Sequence, residues 1–457
     1  MLTKTIDYAT SSAGALAAAV ARREVSAVEL CEEAIRTIEA RDGPINAVVV
    51  RDFDRALEQA RGADARVARG ETGPLIGVPM TVKDSHHVAG LATTWGLEPF
   101  KGWTPTWDST GVVRLKAAGA VILGKTNVPP NLGDWQSANP VYGGTNNPHD
   151  LGRSPGGSSG GGAAALAAGM VALEFGSDIG GSIRVPAHFC GVYGHKPSFD
   201  LVPQTGHAPP GVPDPASGVP LGVIGPLART AGDLKLALGV LAGPDGEDAK
   251  AYRVVLPRPR KRGFKGLRVL VLDEHPVART AHEVKGAVGK LADAMANGGA
   301  EVIDAKAGPK LPDLERSHRI YQGMLGAIMS LGSPEPATLS AVDWFGLFAG
   351  QDAIRRHWAR VFDQIDVVVA PTFGLAAFPH TSEPDWSKRS HLIDGEETPY
   401  GAQLAWPGLA SFTNLPATCV PVTRTAAGLP IGVQIIGPYL EDLTALAVAA
   451  AVEEALS

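Results

Sequence analysis

Residues Arg153–Arg184 read RSPGGSSGGGAAALAAGMVALEFGSDIGGSIR, and this stretch decides how the rest of the chain is read. Two glycine-flanked serines, Ser158 and Ser182, stand 24 positions apart. Between them the small residues Ala163–Ala168 predict a closely packed helix, and Val171–Phe175 a short apolar strand. A structural protein has little use for two exposed-serine loops around one helix. An enzyme that must bring hydroxyls and backbone N–H groups to one substrate atom does. Upstream, Lys83 closes the run Leu75–Val82, in which only Thr81 is polar, so a buried strand is expected to end in a lysine.

The alternation extends in both directions. Ser11–Ala40 has helical periodicity, Phe53–Val67 predicts a further helix, and Ser109–Ala118 another, with Ser109 or Asp108 as its cap. Strands are expected at Val121–Leu123, Arg268–Leu272, Glu301–Ile303, Asp366–Ala370, Ala417–Val422 and Ile431–Ile436, before a closing helix at Leu443–Leu456. Helices alternating with apolar strands predict an α/β sandwich around a largely buried mixed sheet. Residues 307–401, approximately, are the least regular and read as a variable cover over the site, inside a single domain spanning 1–457.

Composition narrows the function. The net charge of −6, with both signs interspersed, argues against a nucleic-acid partner held by a basic face. Cys31, Cys190 and Cys419 form no C-x-x-C pair, so neither a zinc site nor a disulfide framework is indicated, and no metal or cofactor is expected. Ala13–Val20 is too short to span a membrane and lacks a basic leader, which makes the cytoplasm the expected location. The partner expected is a small molecule, and the chain is a monomer or a homodimer.

Two motifs mislead. Gly119-Ala-Val-Ile-Leu-Gly124-Lys125-Thr126 matches a phosphate-binding loop letter for letter, yet its middle is a buried strand and Pro129-Pro130 follow. A phosphate cradle needs a loop there and a helix next, so nucleotide binding is rejected. Gly156-Gly157-Ser158-Ser159-Gly160 matches a nucleophile elbow, which requires an apolar strand directly before it. Gly143–Pro155 is turn-rich instead, leaving an α/β-hydrolase-type esterase as a lesser alternative.

Several long motifs in one order carry a specific resemblance. PMTVKD (Pro79–Asp84), GAVILGKTN, RSPGGSSGG, SDIGGSIRVPAHFCGVYGHKP, IGPLART and GLPIGVQIIG span nearly the whole chain. With these the chain resembles the amidase signature family of serine hydrolases. The resemblance implies a three-layer sandwich, with a mixed, twisted sheet covered by helices on both faces. It also implies Ser182 as nucleophile, Ser158 as a bridging serine after a cis Gly157–Ser158 peptide, and Lys83 as base. Asp178 and Arg184 would then hold the nucleophile loop by hydrogen bonds.

The chemistry suits those residue types. A serine hydroxyl needs a neighbouring base, and lysine serves only if burial depresses its pKa from about 10.4. Ser158 would relay the proton between Ser182 and Lys83, and the N–H groups of Ile179, Gly180, Gly181 and Ser182 would form an oxyanion hole. Singly, each residue has a structural reading: Lys83 as a strand end, Ser158 as a helix cap. Ser159 could cap the helix that follows. For the pocket, His86 (beside His87), Trp135, Gln136, Tyr142 and His207 are candidates, with Trp95, Trp103 and Trp107 nearby in sequence. These aromatics tilt the expectation toward amides with aryl or apolar groups, cleaved through an acyl-enzyme, with carbamates or esters also accessible. The alternatives are a glutamine-hydrolysing amidotransferase subunit, which would need partners and a polar or cationic seat, and a non-catalytic binding protein. The second conflicts with all three catalytic positions being filled.

Overall fold

In the computed structural model, which describes residues 6–212, 218–330 and 338–456, the strand Val367–Pro371 is apolar on both faces. Val367 and Val369 join one buried cluster, while Val368 and Ala370 join another. Such a strand needs cover above and below. The helix His282–Asn297 supplies Val284, Ala287 and Leu291 to the first cluster. The helix Ala341–Phe362 supplies Trp358, Val361 and Phe362 to the second. Layering of helix, sheet and helix follows directly from that two-sided burial.

Among the described residues eleven strands make this sheet. Their spatial order is Val48–Arg51, Val121–Thr126, Pro79–Lys83, Leu173–Asp178, Val223–Ala228, Tyr193–Lys196, Ala417–Arg424, Pro430–Ile436, Val367–Pro371, Arg268–Val271 and Glu301–Asp304. Pro79–Lys83 runs parallel to both neighbours, whereas Leu173–Asp178 pairs antiparallel with Val223–Ala228, so the sheet is mixed. Met80 and Val82 enter the first core. Side chains alternate along a strand, which places Thr81 and Lys83 on the opposite face.

The helix Gly160–Ala167 shows why its sequence is so small. A Cβ on Gly161 would stand 2.4 Å from the backbone N of Asn127, and one on Gly162 would stand 2.3 Å from Glu174 Cγ. Larger residues would lift this helix off the strands that carry Lys83 and Glu174.

Several expectations are corrected. Ser11–Ala40 is two helices, Ala13–Ala21 and Ala27–Arg41. The chain breaks where Arg23 adopts φ +59°, and Ser26 restarts it through a reciprocal capping box with Glu29. Ser109, not Asp108, caps the helix Thr110–Ala117, because Asp108 is occupied by Lys116 and the Ala89 N–H. Leu75–Val78 is a turn, and the strand begins at Pro79. The stretch 307–401 is more regular than its sequence suggests, containing the helices Leu314–Met329 and Ala341–Phe362 and a hairpin, Ser390–Ile393 with Glu396–Pro399. All three cysteines are buried and free. Among the described residues no helix is long and apolar enough to cross a membrane.

Candidate active site

Lys83 ends its strand fully buried, with Nζ 2.7 Å from Ser158 Oγ, 3.0 Å from Ser159 Oγ and 2.9 Å from Ser177 Oγ. Burial pushes its pKa down to about 7, against the pull of Asp178 and Glu174. A neutral amine has two N–H bonds and one lone pair. Three hydroxyls and, at 3.5 Å, the Ser177 carbonyl oxygen surround it, so a neutral amine has acceptors for its N–H bonds and a hydroxyl within reach of its lone pair.

Ser158 follows a cis peptide bond after Gly157. It faces the same cavity as Ser182, with no hydrogen bond between the two hydroxyls, a spacing that in catalytic sites commonly tightens with substrate. Ser182 lies in the turn between the strand Leu173–Asp178 and the helix Arg184–Cys190. Asp178 fixes that turn. Its Oδ1 accepts from the Gly181 N–H at 2.9 Å and its Oδ2 from the Ile183 N–H at 3.1 Å. Arg184 pairs with Asp178 through Nε and Nη2, both at 3.0 Å, with both side chains wholly buried. Burial alone would raise the Asp178 pKa, but the guanidinium overrides it and holds the carboxyl at about 2. Arg184 is itself held by Gln434, Ser411 and the Pro407 carbonyl.

This geometry corrects the expected oxyanion hole. The Gly181 N–H already serves Asp178 and is unavailable to substrate. Among the described residues no hydrogen bond engages the N–H groups of Ile179, Gly180 or Ser182. Gly181 adopts φ +95°, and a Cβ there would stand 2.9 Å from Pro407 Cβ, so glycine is required at that turn. Ser159 does not cap the following helix with its side chain; its hydroxyl instead accepts from Lys83 and donates to the Ser177 carbonyl.

Two hollows meet at Ser182 and share Leu132, Ile179 and Met329. One, of about 340 Å³, also touches Ser158 and Ser177 and is walled by Trp95, His207, Ala208, Val219, Val223 and Ile328. The other, of about 370 Å³, is walled by Trp135, Gly180, Leu325, Trp386 and Leu404. Asp134 borders the second, but Arg389 and Tyr400 each hold its carboxylate at 2.7 Å. No lysine or arginine lines either hollow among the described residues, and the segments 213–217 and 331–337 contain neither residue type. A further hollow of about 390 Å³, along Asp52–Arg66 and Lys116, touches none of the serines.

Of the expected pocket residues, Trp135 and His207 line the hollows and three do not. His86 lies behind the wall, stacked on Phe175 at 4.2 Å with Nε2 3.3 Å from the Gly176 carbonyl oxygen. Gln136 spends its amide on the backbone of Thr381. Tyr142 borders neither hollow. Trp103 and Trp107 cluster around His87 instead. Among the described residues no group of three His, Cys, Asp or Glu side chains is placed to hold a metal.

Sequence reasoning missed several participants. Ser177 contacts Lys83 directly, and the signal was a further serine five positions before Ser182. Glu174, an acid inside an apolar strand, accepts from Thr81 and Thr126 at 2.5 and 2.6 Å; burial raises its pKa to about 7. Tyr321 donates to the Ile179 carbonyl at 2.8 Å, a long-range contact with no local signal.

The family model described as Amidase matches residues 29–332 and 335–446. A glutamyl-tRNA(Gln) amidotransferase subunit of Roseiflexus sp. (strain RS-1) is 33% identical over 470 residues, covering 94% of this chain and 93% of that one. Among solved structures, a bacterial aryl acylamidase of the amidase signature family superposes with TM-score 0.81 at 28% identity, covering 98% of this chain and 96% of its own. An inhibitor-bound protein from a vestigial complex that bears on the origins of an s-triazine catabolic enzyme superposes with TM-score 0.83 at 31% identity, covering 97% and 98%.

Proposed function

The chain belongs to the amidase family, and we propose that it hydrolyses neutral amides carrying apolar groups on both sides of the scissile bond, through an acyl-enzyme on Ser182. In this reading the Ser182 oxygen attacks the carbonyl carbon, and the carbonyl electron pair moves onto oxygen beside the N–H groups of Gly180 and Ser182. The Ser182 proton passes to Ser158, whose own proton passes to the neutral amine of Lys83. Collapse breaks the carbon–nitrogen bond while Ser158 protonates the leaving nitrogen and recovers a proton from Lys83. Water then cleaves the Ser182 ester by the same relay and releases the acid.

One observation carries the reading: Lys83, buried and shifted to about 7, is hydrogen-bonded to Ser158, which shares a hollow with Ser182. The substrate class rests on the two apolar hollows. Of the two hollows, the one beside Val223 is lined by Ser158 among the described residues, and Ser158 is the proton donor to the departing amine in this reading, so the amine portion is assigned there. The acyl portion then falls beside Trp135 and Trp386. Carbamates and esters would meet the same N–H groups.

The second reading is favoured by the amidotransferase subunits among the relatives. Glutamine carries a carboxylate and an ammonium, and seating them away from water requires countercharges. Neither hollow has a cation at its described wall, and the acids described there, Asp134 and Asp178, are already paired. A turnover screen of the purified chain separates the two. Anilides and other apolar secondary amides should be cleaved by the chain alone, glutamine should not, and Ser182→Ala should cleave nothing. Glutamine turnover that appears only with partner subunits would favour the second reading.

A further inference from the structure

The peptide planes of the nucleophile loop are held unequally. The Gly180–Gly181 peptide is tied at both ends: Trp135 Nε1 donates to its carbonyl at 3.0 Å, and its N–H donates to Asp178 at 2.9 Å. The Gly181–Ser182 peptide is anchored at its carbonyl by the Val185 N–H at 2.7 Å. The Ile179–Gly180 peptide is tied at its carbonyl alone, by the Tyr321 hydroxyl at 2.8 Å. Among the described residues nothing engages its N–H. A trans peptide points its N–H away from its C=O, so the bond from Tyr321 fixes where the Gly180 N–H aims. Chained hydrogen bonds also polarise one another, which makes that N–H a stronger donor.

Tyr321 is well placed to hold that direction. It is 1% exposed, and a Cβ on Gly408 would stand 2.9 Å from its ring, so the ring is closely confined. It belongs to the helix Leu314–Met329, which also lines the two hollows through Gln322, Leu325, Ile328 and Met329. One helix therefore touches both hollows and the peptide whose N–H the proposed mechanism sets beside the substrate carbonyl oxygen.

We propose that Tyr321 is a positioning residue for the Gly180 N–H, and that the helix Leu314–Met329 couples filling of the hollows to the strength of that oxyanion donor. The inference rests on the reading of Ser182 as nucleophile. Substrates too short to reach the helix should then lose kcat rather than only binding.

Tyr321→Phe tests it, since the ring stays and only the hydroxyl goes. Turnover of a full-length apolar amide should fall about ten- to a hundredfold, somewhat less than outright loss of an oxyanion donor, with KM little changed. A boronic acid, which becomes tetrahedral and anionic on Ser182, should lose affinity by the same factor. The planar carboxylic acid product should bind as before, which also reports an intact fold. Unchanged boronic acid affinity, or equal weakening of acid and boronic acid, overturns the role of Tyr321. Ser182→Ala measured alongside separates the two levels: turnover surviving in it would remove the premise itself.

Discussion

Lys83 Nζ lies 2.7 Å from Ser158 Oγ, at the end of a strand whose side chains are entirely buried. Ser159 and Ser177 flank the amine on its other sides at 3.0 and 2.9 Å, and burial is what favours its neutral form. The pKa is lowered to about 7, and the base form exists above that value. The rate kcat/KM should therefore rise through about pH 7 and level off above it, with its acid limb set by Lys83. Lys83→Met should lose about 10²–10⁴-fold in kcat, the usual span for a general base. A pH–rate profile still climbing toward pH 10 would mean the lysine remains charged.

In the proposed relay Ser177 carries no proton; its Oγ lies 2.9 Å from the Lys83 amine and holds it in place. Ser177→Ala leaves that side of Lys83 only the Ser177 carbonyl oxygen, at 3.5 Å, and loss of a buried hydrogen-bond partner costs up to about 1–3 kcal/mol. We expect a drop in kcat of about tenfold, with KM unchanged and the acid limb of the pH profile displaced. Steady-state kinetics at several pH values check this; an effect confined to KM would contradict it.

Asp178 and Arg184 are both wholly buried, and Asp178 also receives the Gly181 and Ile183 N–H groups. Arg184→Leu would leave a carboxylate without its countercharge. Breaking such a pair costs about 3–5 kcal/mol, so the urea midpoint should fall sharply and activity should disappear with the loop's order. A variant of near wild-type stability would show that the pair is dispensable to the fold.

The two hollows can be filled separately. Leu325→Trp narrows the one bordered by Trp135 and Trp386, and Val223→Trp narrows the one that reaches Ser158. The first should raise KM steeply with acyl size and little with amine size; the second should do the reverse. Measuring KM across a grid of acyl and amine groups tests the assignment, and the opposite pattern would reverse it.

Much of this was legible in the sequence, for identifiable reasons. The strands of the sheet announce themselves where a run such as Val367-Val368-Val369 is buried on both faces. Lys83, Ser158 and Ser182 stand out because each occupies a position that local patterning makes unusual, a lysine after an apolar run and serines among glycines. What was not legible depends on contacts across the chain. Tyr321 meets Ile179 over 142 positions, and Gln136 meets Thr381 over 245. The loss of Gly181 as an oxyanion donor follows from the direction of one N–H toward Asp178, which glycine spacing does not encode. Helical periodicity across Ser11–Ala40 hid a break made by a cap, because Ser26 and Glu29 restart a helix in nearly the same phase.

The central claim is that Ser182 carries the acyl group. Acid quench of the purified chain during turnover of an apolar anilide, followed by intact-mass and peptide mass spectrometry, measures this directly. A mass increase equal to the acyl fragment is predicted on the peptide containing Ser182, absent from Ser182→Ala. Anilide turnover that persists in Ser182→Ala, or an acyl group found on another residue, would contradict it.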